Sequence, residues 1–300
     1  MENVAIFMAV LFGLLVGSFL NVVIYRLPVM LNRQWNEAAR EQLKLDDKFI
    51  QTLPENIAQT LRQRIGLTPE QMGVFTLSRP RSRCGNCGAL VRAWQNIPII
   101  SWLILRGKCH TCQTPISIRY PLVELLTGVL FGLVAWRYGW TEITVWGCLL
   151  TAMVIAMTFI DADTQILPDD LTKPLVWLGL LFNWRMGFVS WQQALLGAVI
   201  GYMSLYLLNK IHVILRGIDG MGQGDFKLLA AIGAWVGVAN LLIVVLMASV
   251  IGIVAALVKR VAKSQPMAFG PCLAIAGWFV FLFHQQATMA ITWWLHKSGF

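Results

Sequence analysis

Charge is scarce in this sequence. Asp, Glu, Lys and Arg make up 13% of its 300 residues, about half of the roughly 25% usual for a soluble domain. That shortage argues against two soluble domains and for a chain embedded in lipid. Internal repeats and low-complexity tracts are missing. No basic stretch precedes the first apolar segment, 4–24, where the only charge is Glu2, and no A-x-A-like site follows it before Arg26. A cleaved signal peptide needs both features, so the segment is expected to be a spanning helix with its N-terminus outside. A G-x-G-x-x-G loop is also absent, so no nucleotide-type cofactor site can be read from a phosphate-binding turn.

What the sequence has in abundance is apolar length. It is 57% hydrophobic, with a mean hydropathy of +0.64. Stretches long enough to span recur at about 4–25, 121–137, 143–161, 174–190, 192–212, 226–238, 240–258 and 269–290. The expected fold is therefore an all-α polytopic membrane protein of about eight transmembrane helices. The net charge of +9 reads as topology rather than nucleic-acid binding, because the basic residues concentrate in particular loops. Thirteen Lys and Arg fall between Arg33 and Arg119, which places this long loop in the cytoplasm. Counting forward, the loops at 162–173, 213–225 and 259–268 share that side. The division expected is a first transmembrane helix at 1–27, a cytoplasmic insertion at 28–120 and a transmembrane bundle at 121–300. Within the insertion, 34–78 reads as short amphipathic helices, with Thr68-Pro69-Glu70-Gln71 marking a helix start. The bilayer is an expected partner and nucleic acid is not; oligomeric state is not legible.

Two C-x-x-C pairs stand in the insertion, Cys84/Cys87 and Cys109/Cys112, separated by 21 residues (88–108). Two thiolates from one tight turn can reach the same tetrahedral metal, so a structural Zn²⁺ held by all four is expected. With four positions filled, no open site remains for catalysis. Disulfides are disfavoured in a reducing cytoplasm, and no βαβ pattern supports a thioredoxin-like pair. His110 reads as a bystander. The remaining cysteines, Cys148 and Cys272, lie alone in apolar runs and read as packing residues.

Carboxylates at a membrane edge are costly and are functional candidates by default. Asp161 follows the apolar run 154–160. Asp225 ends Gly222-Gln223-Gly224-Asp225 and opens the next apolar segment, where a helix N-terminus favours an anion. On the topology above both lie at the cytoplasmic end of the bundle. Two aspartates at one depth can share a proton, so that one activates water while the other donates to a carbonyl. Asp163, Asp169, Asp170 and Asp219 are weaker candidates, and Asp169 and Asp170 are expected to cap the following helix.

These motifs, in order, resemble the bacterial type IV prepilin peptidases, a branch of the G-x-G-D intramembrane aspartyl proteases. The resemblance runs through Gly17-Ser18-Phe19-Leu20-Asn21-Val22, Arg26-Leu27-Pro28, Arg81-Ser82-Arg83-Cys84, Asn96-Ile97-Pro98-Ile99-Ile100-Ser101-Trp102, Gly107-Lys108-Cys109, Ile118-Arg119-Tyr120-Pro121 with Glu124, the two aspartate motifs, and Phe269-Gly270-Pro271. One departure is Met267-Ala268, where the family often has a proline before the Phe. The resemblance implies catalytic roles for Asp161 and Asp225, and cleavage of type IV prepilins or type II secretion pseudopilins after a Gly on the cytoplasmic side. N-methylation of the new N-terminal residue with S-adenosylmethionine would follow. It implies that the 79–120 element serves methylation, with Arg119, Tyr120 and Glu124 as candidates for the methyl-transfer site. It also implies residence in the bacterial inner membrane, with the N-terminus periplasmic and the zinc loop and aspartates cytoplasmic. The competing reading is a polytopic transporter or proton-conducting protein with a structural zinc knuckle. That reading expects acids near mid-bilayer and paired repeats. A zinc-knuckle membrane scaffold is a third.

Overall fold

The computed structural model describes residues 2–42, 54–57, 73–259 and 268–298. Among them the chain is helical, without strands. In order these helices are α1 (Glu2–Gln42), α2 (Ile100–Ile104), α3 (Arg119–Tyr138), α4 (Glu142–Thr164), α5 (Asp169–Met186), α6 (Trp191–Arg216), α7 (Gln223–Val236), α8 (Leu241–Lys259), α9 (Gly270–Leu282) and α10 (His284–Lys297). Helices α1, α3, α4, α6 and α8 are long and apolar enough to cross a membrane, and α9 with α10 would make a sixth span, bent by 94°. The protein is thus an all-α polytopic membrane protein. Two compact units divide it, 1–20 with 119–300, and 21–118.

In the first unit α7 is the central element. It has 14 residues, about 21 Å at 1.5 Å per residue, less than the roughly 30 Å of a hydrocarbon core. From Asp225 onward it is buried at every position except Lys227, the pattern of a helix apolar all round and enclosed by neighbours. Small residues bring α6 against it. A Cβ on Gly201 would sit 2.7 Å from the Leu229 carbonyl oxygen, and Gly197 and Gly233 face each other backbone to backbone. Close approach through such residues is what drives helix association in lipid, where apolar contact gives little net preference over acyl chains.

Buried polar atoms on α5 and α7 are satisfied rather than sacrificed. Trp235 Nε1 donates to the Leu175 carbonyl (2.9 Å). Asn183 Nδ2 donates to the carbonyls of Ala234 (2.7 Å) and Trp235 (3.1 Å), and its Oδ1 accepts the Val189 N–H (2.9 Å). Each would cost several kcal/mol if left unpaired in hydrocarbon. Cys272 is buried within the same core. On α3, Gly128 packs against α1 at Gly13, so closely that a Cβ on Gly13 would lie 2.8 Å from the Gly128 Cα.

Three features differ from the sequence reading. First, α1 does not stop near residue 25 or give way to short helices at 34. It continues through Pro28 to Gln42. The stretch after the proline, Glu37-Ala38-Ala39-Arg40-Glu41-Gln42, is made of strong helix formers. Second, the segment 269–290 is not one straight span but breaks at Phe283. A polar tether accounts for the bend: Asn240 Nδ2 lies 3.0 Å from His284 Nε2 and 3.2 Å from Thr288 Oγ1. Third, Asp169 and Asp170 do not cap α5. Pro168 holds the N-cap position and both acids lie in the first turn. The helix start read at 68–71 and the departure at Met267 lie outside the described residues.

Candidate active site and metal centre

Asp161 lies one turn from the end of α4. Its carbonyl accepts the N–H of Gln165 (2.8 Å), which closes the helix in a left-handed conformation at φ 55°. The side chain is 4% exposed, and its Oδ2 is buried without a hydrogen-bond partner. The backbone amide of Gly270, at the start of α9, approaches the carboxyl. A buried carboxylate oxygen left open is expensive and is the kind of exception that calls for a functional account.

Asp225 is the third residue of α7, after the N-cap Gly222, and is 8% exposed. Its carboxyl interacts electrostatically with that of Asp161. The loop between α4 and α5 helps to bring the two motifs together through Leu167. Its side chain lies where a Cβ on Gly224 would meet it at 2.7 Å and one on Gly270 at 3.0 Å. Gly270 is constrained twice, since its Cβ would also fall 2.5 Å from Asp161 Oδ2. We expect Gly270→Ala to displace the Asp161 carboxyl. A shift near 1 Å costs up to about 10²-fold in a positioned reaction, so turnover of Gly270→Ala should fall by roughly that factor at unchanged protein level.

The weaker acids have other employment. Asp163 accepts a two-pronged bond from Arg119 (2.9 and 2.5 Å), whose guanidinium also lies 5.1 Å from the Phe159 ring centroid. Asp169 pairs with Lys173 on its own helix (2.9 Å) and with Lys227 on α7 (2.5 Å). These two cations, Lys173 first, hold its carboxyl below the ordinary range. Asp219 accepts from Asn209 (3.2 Å). Sequence reasoning does not foresee these pairs. The usable signal is opposite charge at the starts of α5 and α7. Of the re-entry residues, Glu124 is buried, with Gly17 packed over its Cα, and Tyr120 is exposed.

In the second unit the two knuckles are built alike. Each C-x-x-C turn is closed by an isolated bridge, Arg83 with Leu90 and Lys108 with Pro115. Each is followed by a positive-φ residue, Gly88 (69°) or Gln113 (58°). Matching amide bonds run from Cys84 to the Ala89 carbonyl (2.9 Å) and from Cys109 to the Thr114 carbonyl (2.8 Å). The sulfurs of Cys84, Cys87, Cys109 and Cys112 all lie within 4.8 Å of one another, and Cys84 Sγ is 3.7 Å from Cys112 Sγ. A tetrahedron with Zn–S bonds of ~2.3 Å has edges of roughly 3.8 Å, so the four thiols fit a zinc ion.

The electrostatics of the cluster agree with a cation. The Thr114 hydroxyl and then its amide bring the Cys112 thiol down to about 5, and the Cys87 and Asn86 amides lower Cys84. The Ala89 amide also acts to lower Cys87, but Cys112, burial and the other two sulfurs push it to about 11. The four cannot all ionise together without a positive charge among them. His110 stands apart from the set, its ring edge-on to Trp94 at 5.9 Å.

An apolar helical bundle with two buried aspartates at one end, together with a four-cysteine unit, defines a polytopic membrane protein of the acid-pair kind. Comparison with known proteins gives the family. Residues 11–138 match the bacterial peptidase A24 N-terminal domain and residues 148–257 match the type IV leader peptidase family. The chain is 54% identical over 291 residues to a protein of Neisseria gonorrhoeae, covering 97% of this chain and 95% of that one. It is 46% identical to a protein of Stutzerimonas stutzeri (93% and 91% covered) and 43% to one of Pseudomonas aeruginosa (97% and 93%). All three are described as prepilin leader peptidase/N-methyltransferase. No solved structure matches. The chain belongs to the type IV leader peptidase family.

Proposed function

We propose that this protein is a membrane aspartyl endopeptidase that removes the leader of type IV prepilins or type II secretion pseudopilins after a Gly, and then N-methylates the new N-terminal residue. The observation that carries the reading is the electrostatic interaction between the buried carboxyls of Asp161 and Asp225. They stand 64 residues apart in sequence, yet both are buried, interact electrostatically, and leave one carboxylate oxygen unpartnered.

Two carboxyl groups sharing one proton can hydrolyse a peptide. The ionised member takes a proton from water as the oxygen attacks the scissile carbonyl. The neutral member gives its proton to the carbonyl oxygen, forming a tetrahedral diol. Collapse of the diol breaks the C–N bond and returns a proton to the leaving amine. A transporter would also use buried acids, but it would hold them at mid-bilayer beside a broken helix. Here the broken helix, at Phe283, is met by Asn240, which bonds to His284 and Thr288.

In this reading the division is 1–27, 28–120 and 121–300, with the aspartyl site in the last part and methylation assigned to the second. S-adenosylmethionine supplies an electrophilic methyl group. Arg119, Tyr120 and Glu124, at the re-entry into the bundle, are the candidates to hold that donor. Cys84, Cys87, Cys109 and Cys112 hold a structural zinc. The protein resides in the bacterial inner membrane with its N-terminus periplasmic and the 28–120 segment and aspartates cytoplasmic, as the thirteen cations between Arg33 and Arg119 favour.

The test is reconstitution. Purified protein in nanodiscs, given a prepilin, should release the leader. With added S-adenosylmethionine the mature product should gain one methyl mass, read by mass spectrometry. A precursor left whole, or cut elsewhere than after the Gly, would overturn the reading.

A further inference from the structure

We infer that the Asp169–Lys227 ion pair is a positioning clamp that fixes the first turn of α7 against the first turn of α5, and so holds Asp225 in register with Asp161. The inference rests on the proposed peptidase reading and adds a residue pair to it.

The start of α7 needs such a device. Its N-cap is Gly222, with no side-chain cap. The residues before it, Gly217 to Gly222, are mostly exposed and rich in glycine. The Asp225 amide donates to the Gly222 carbonyl (3.1 Å), but no side chain caps the turn, and a first turn held only by its own backbone is prone to fray. Asp225 sits in that turn. Beyond it α7 is gripped from every side, so any looseness falls on the residue whose placement matters most.

Lys227 is the exception to the burial of α7. Its ammonium crosses to Asp169 Oδ1 at 2.5 Å, and the two side chains are 30% and 41% exposed. Asp169 itself follows Pro168 at the start of α5. The bond therefore ties two helix starts, one of them two residues beyond Asp225. The loop between Asp161 and Asp169 is gripped at its middle, where Leu167 meets Gly224 and Gly270. Three points thus fix the segment: the Asp161 end of α4, Leu167, and the clamp. Residues two apart on a helix do not share a face, so Lys227 acts on Asp225 through the backbone of the turn and not as a partner of its carboxylate.

The neighbouring cation supplies the control. Lys173 also pairs with Asp169, at 2.9 Å, but from four residues along the same helix, so it cannot join α5 to α7. Charge near Asp169 and connection between helices are separable by mutation.

The experiment uses the full chain in nanodiscs with a prepilin, reading kcat, KM and thermal melting. Lys227→Met should lower kcat by about ten- to a hundredfold, the scale of a sub-ångström to 1 Å misplacement, with KM nearly unchanged and melting shifted only slightly, since a part-exposed pair contributes little to stability. Lys227→Arg should recover most of the rate, and Lys173→Met should cleave as the parent does. Wild-type kcat in Lys227→Met, an equal loss in Lys173→Met, or a loss that follows melting and is not recovered by Lys227→Arg would overturn the clamp. Asp225→Asn run alongside separates the two levels. If it cleaves, the peptidase reading fails whatever Lys227 does; if it is inert while Lys227→Met keeps full kcat, only the clamp fails.

Discussion

Asp161→Asn and Asp225→Asn should each leave a prepilin uncut, with cleavage reduced on the order of 10³-fold or more while the protein still inserts and folds. Asparagine keeps the shape of the side chain but cannot ionise, so neither substitution leaves a proton to be shared. Residues that act as one unit lose nearly everything when either is removed. The double variant should therefore be no worse than the singles. Asp163→Asn is the informative contrast. It lies two residues from Asp161, but its carboxylate accepts from Arg119. An exposed pair of that kind contributes little to stability, and the variant should retain cleavage. Precursor processing, read by the mobility shift of the mature pilin at matched membrane protein levels, decides each case. Full processing by either Asn variant would falsify the acid-pair assignment.

Loss of one knuckle cysteine is the second large effect. Purified protein should carry about one zinc per chain, and Cys84→Ser should lose most of it, because a structural site needs all four ligands. Binding free energies of about 10–16 kcal/mol in small zinc domains pass directly into folding, so the two knuckles, from Arg83 to Pro115, should lose their structure with the metal. We expect methylation to disappear. Cleavage should stay within about twofold, as expected for sites that do not couple. Elemental analysis and product mass report the two outcomes separately, and loss of cleavage with the zinc would move the knuckle into the peptidase. Zinc uptake by the stripped protein should also release protons at neutral pH. The other sulfurs push the Cys87 thiol up, so it holds a proton that zinc must displace, whereas the Thr114 hydroxyl pulls Cys112 down toward its thiolate. The count should therefore be fewer than four per zinc.

Several features of this protein are legible in its sequence, and physics explains which. Apolar length locates helices in lipid because backbone groups must be satisfied within the segment. That logic finds α3, α4, α6 and α8 closely. The C-x-x-C spacing is a local constraint, and the four sulfurs do meet. Hydropathy is blind to what happens outside the apolar window. It ends the first helix near residue 25, although Ala38-Ala39-Arg40-Glu41 carry it on to Gln42. It joins α9 to α10 because both are apolar, whereas the break depends on Asn240 reaching His284 and Thr288 from another part of the chain.

Around the aspartates the limit is of the same kind. Asp161 and Asp225 are legible as membrane-edge acids. The open Oδ2, the Leu167 contact with Gly224 and Gly270, and the employment of Asp163 and Asp169 in ion pairs are long-range facts. The place of Asp169 after a proline suggests a cap. Its partner on α7 is 58 residues away, and no local rule finds it.

The pH dependence of kcat/KM for prepilin cleavage tests the shared proton most directly. A pair with one member ionised and one neutral is active only between its two macroscopic ionisations. The account predicts a bell with both limbs, replaced by a flat residual rate in Asp161→Asn and in Asp225→Asn. A single-limbed profile, or a bell that persists in either variant, would contradict it.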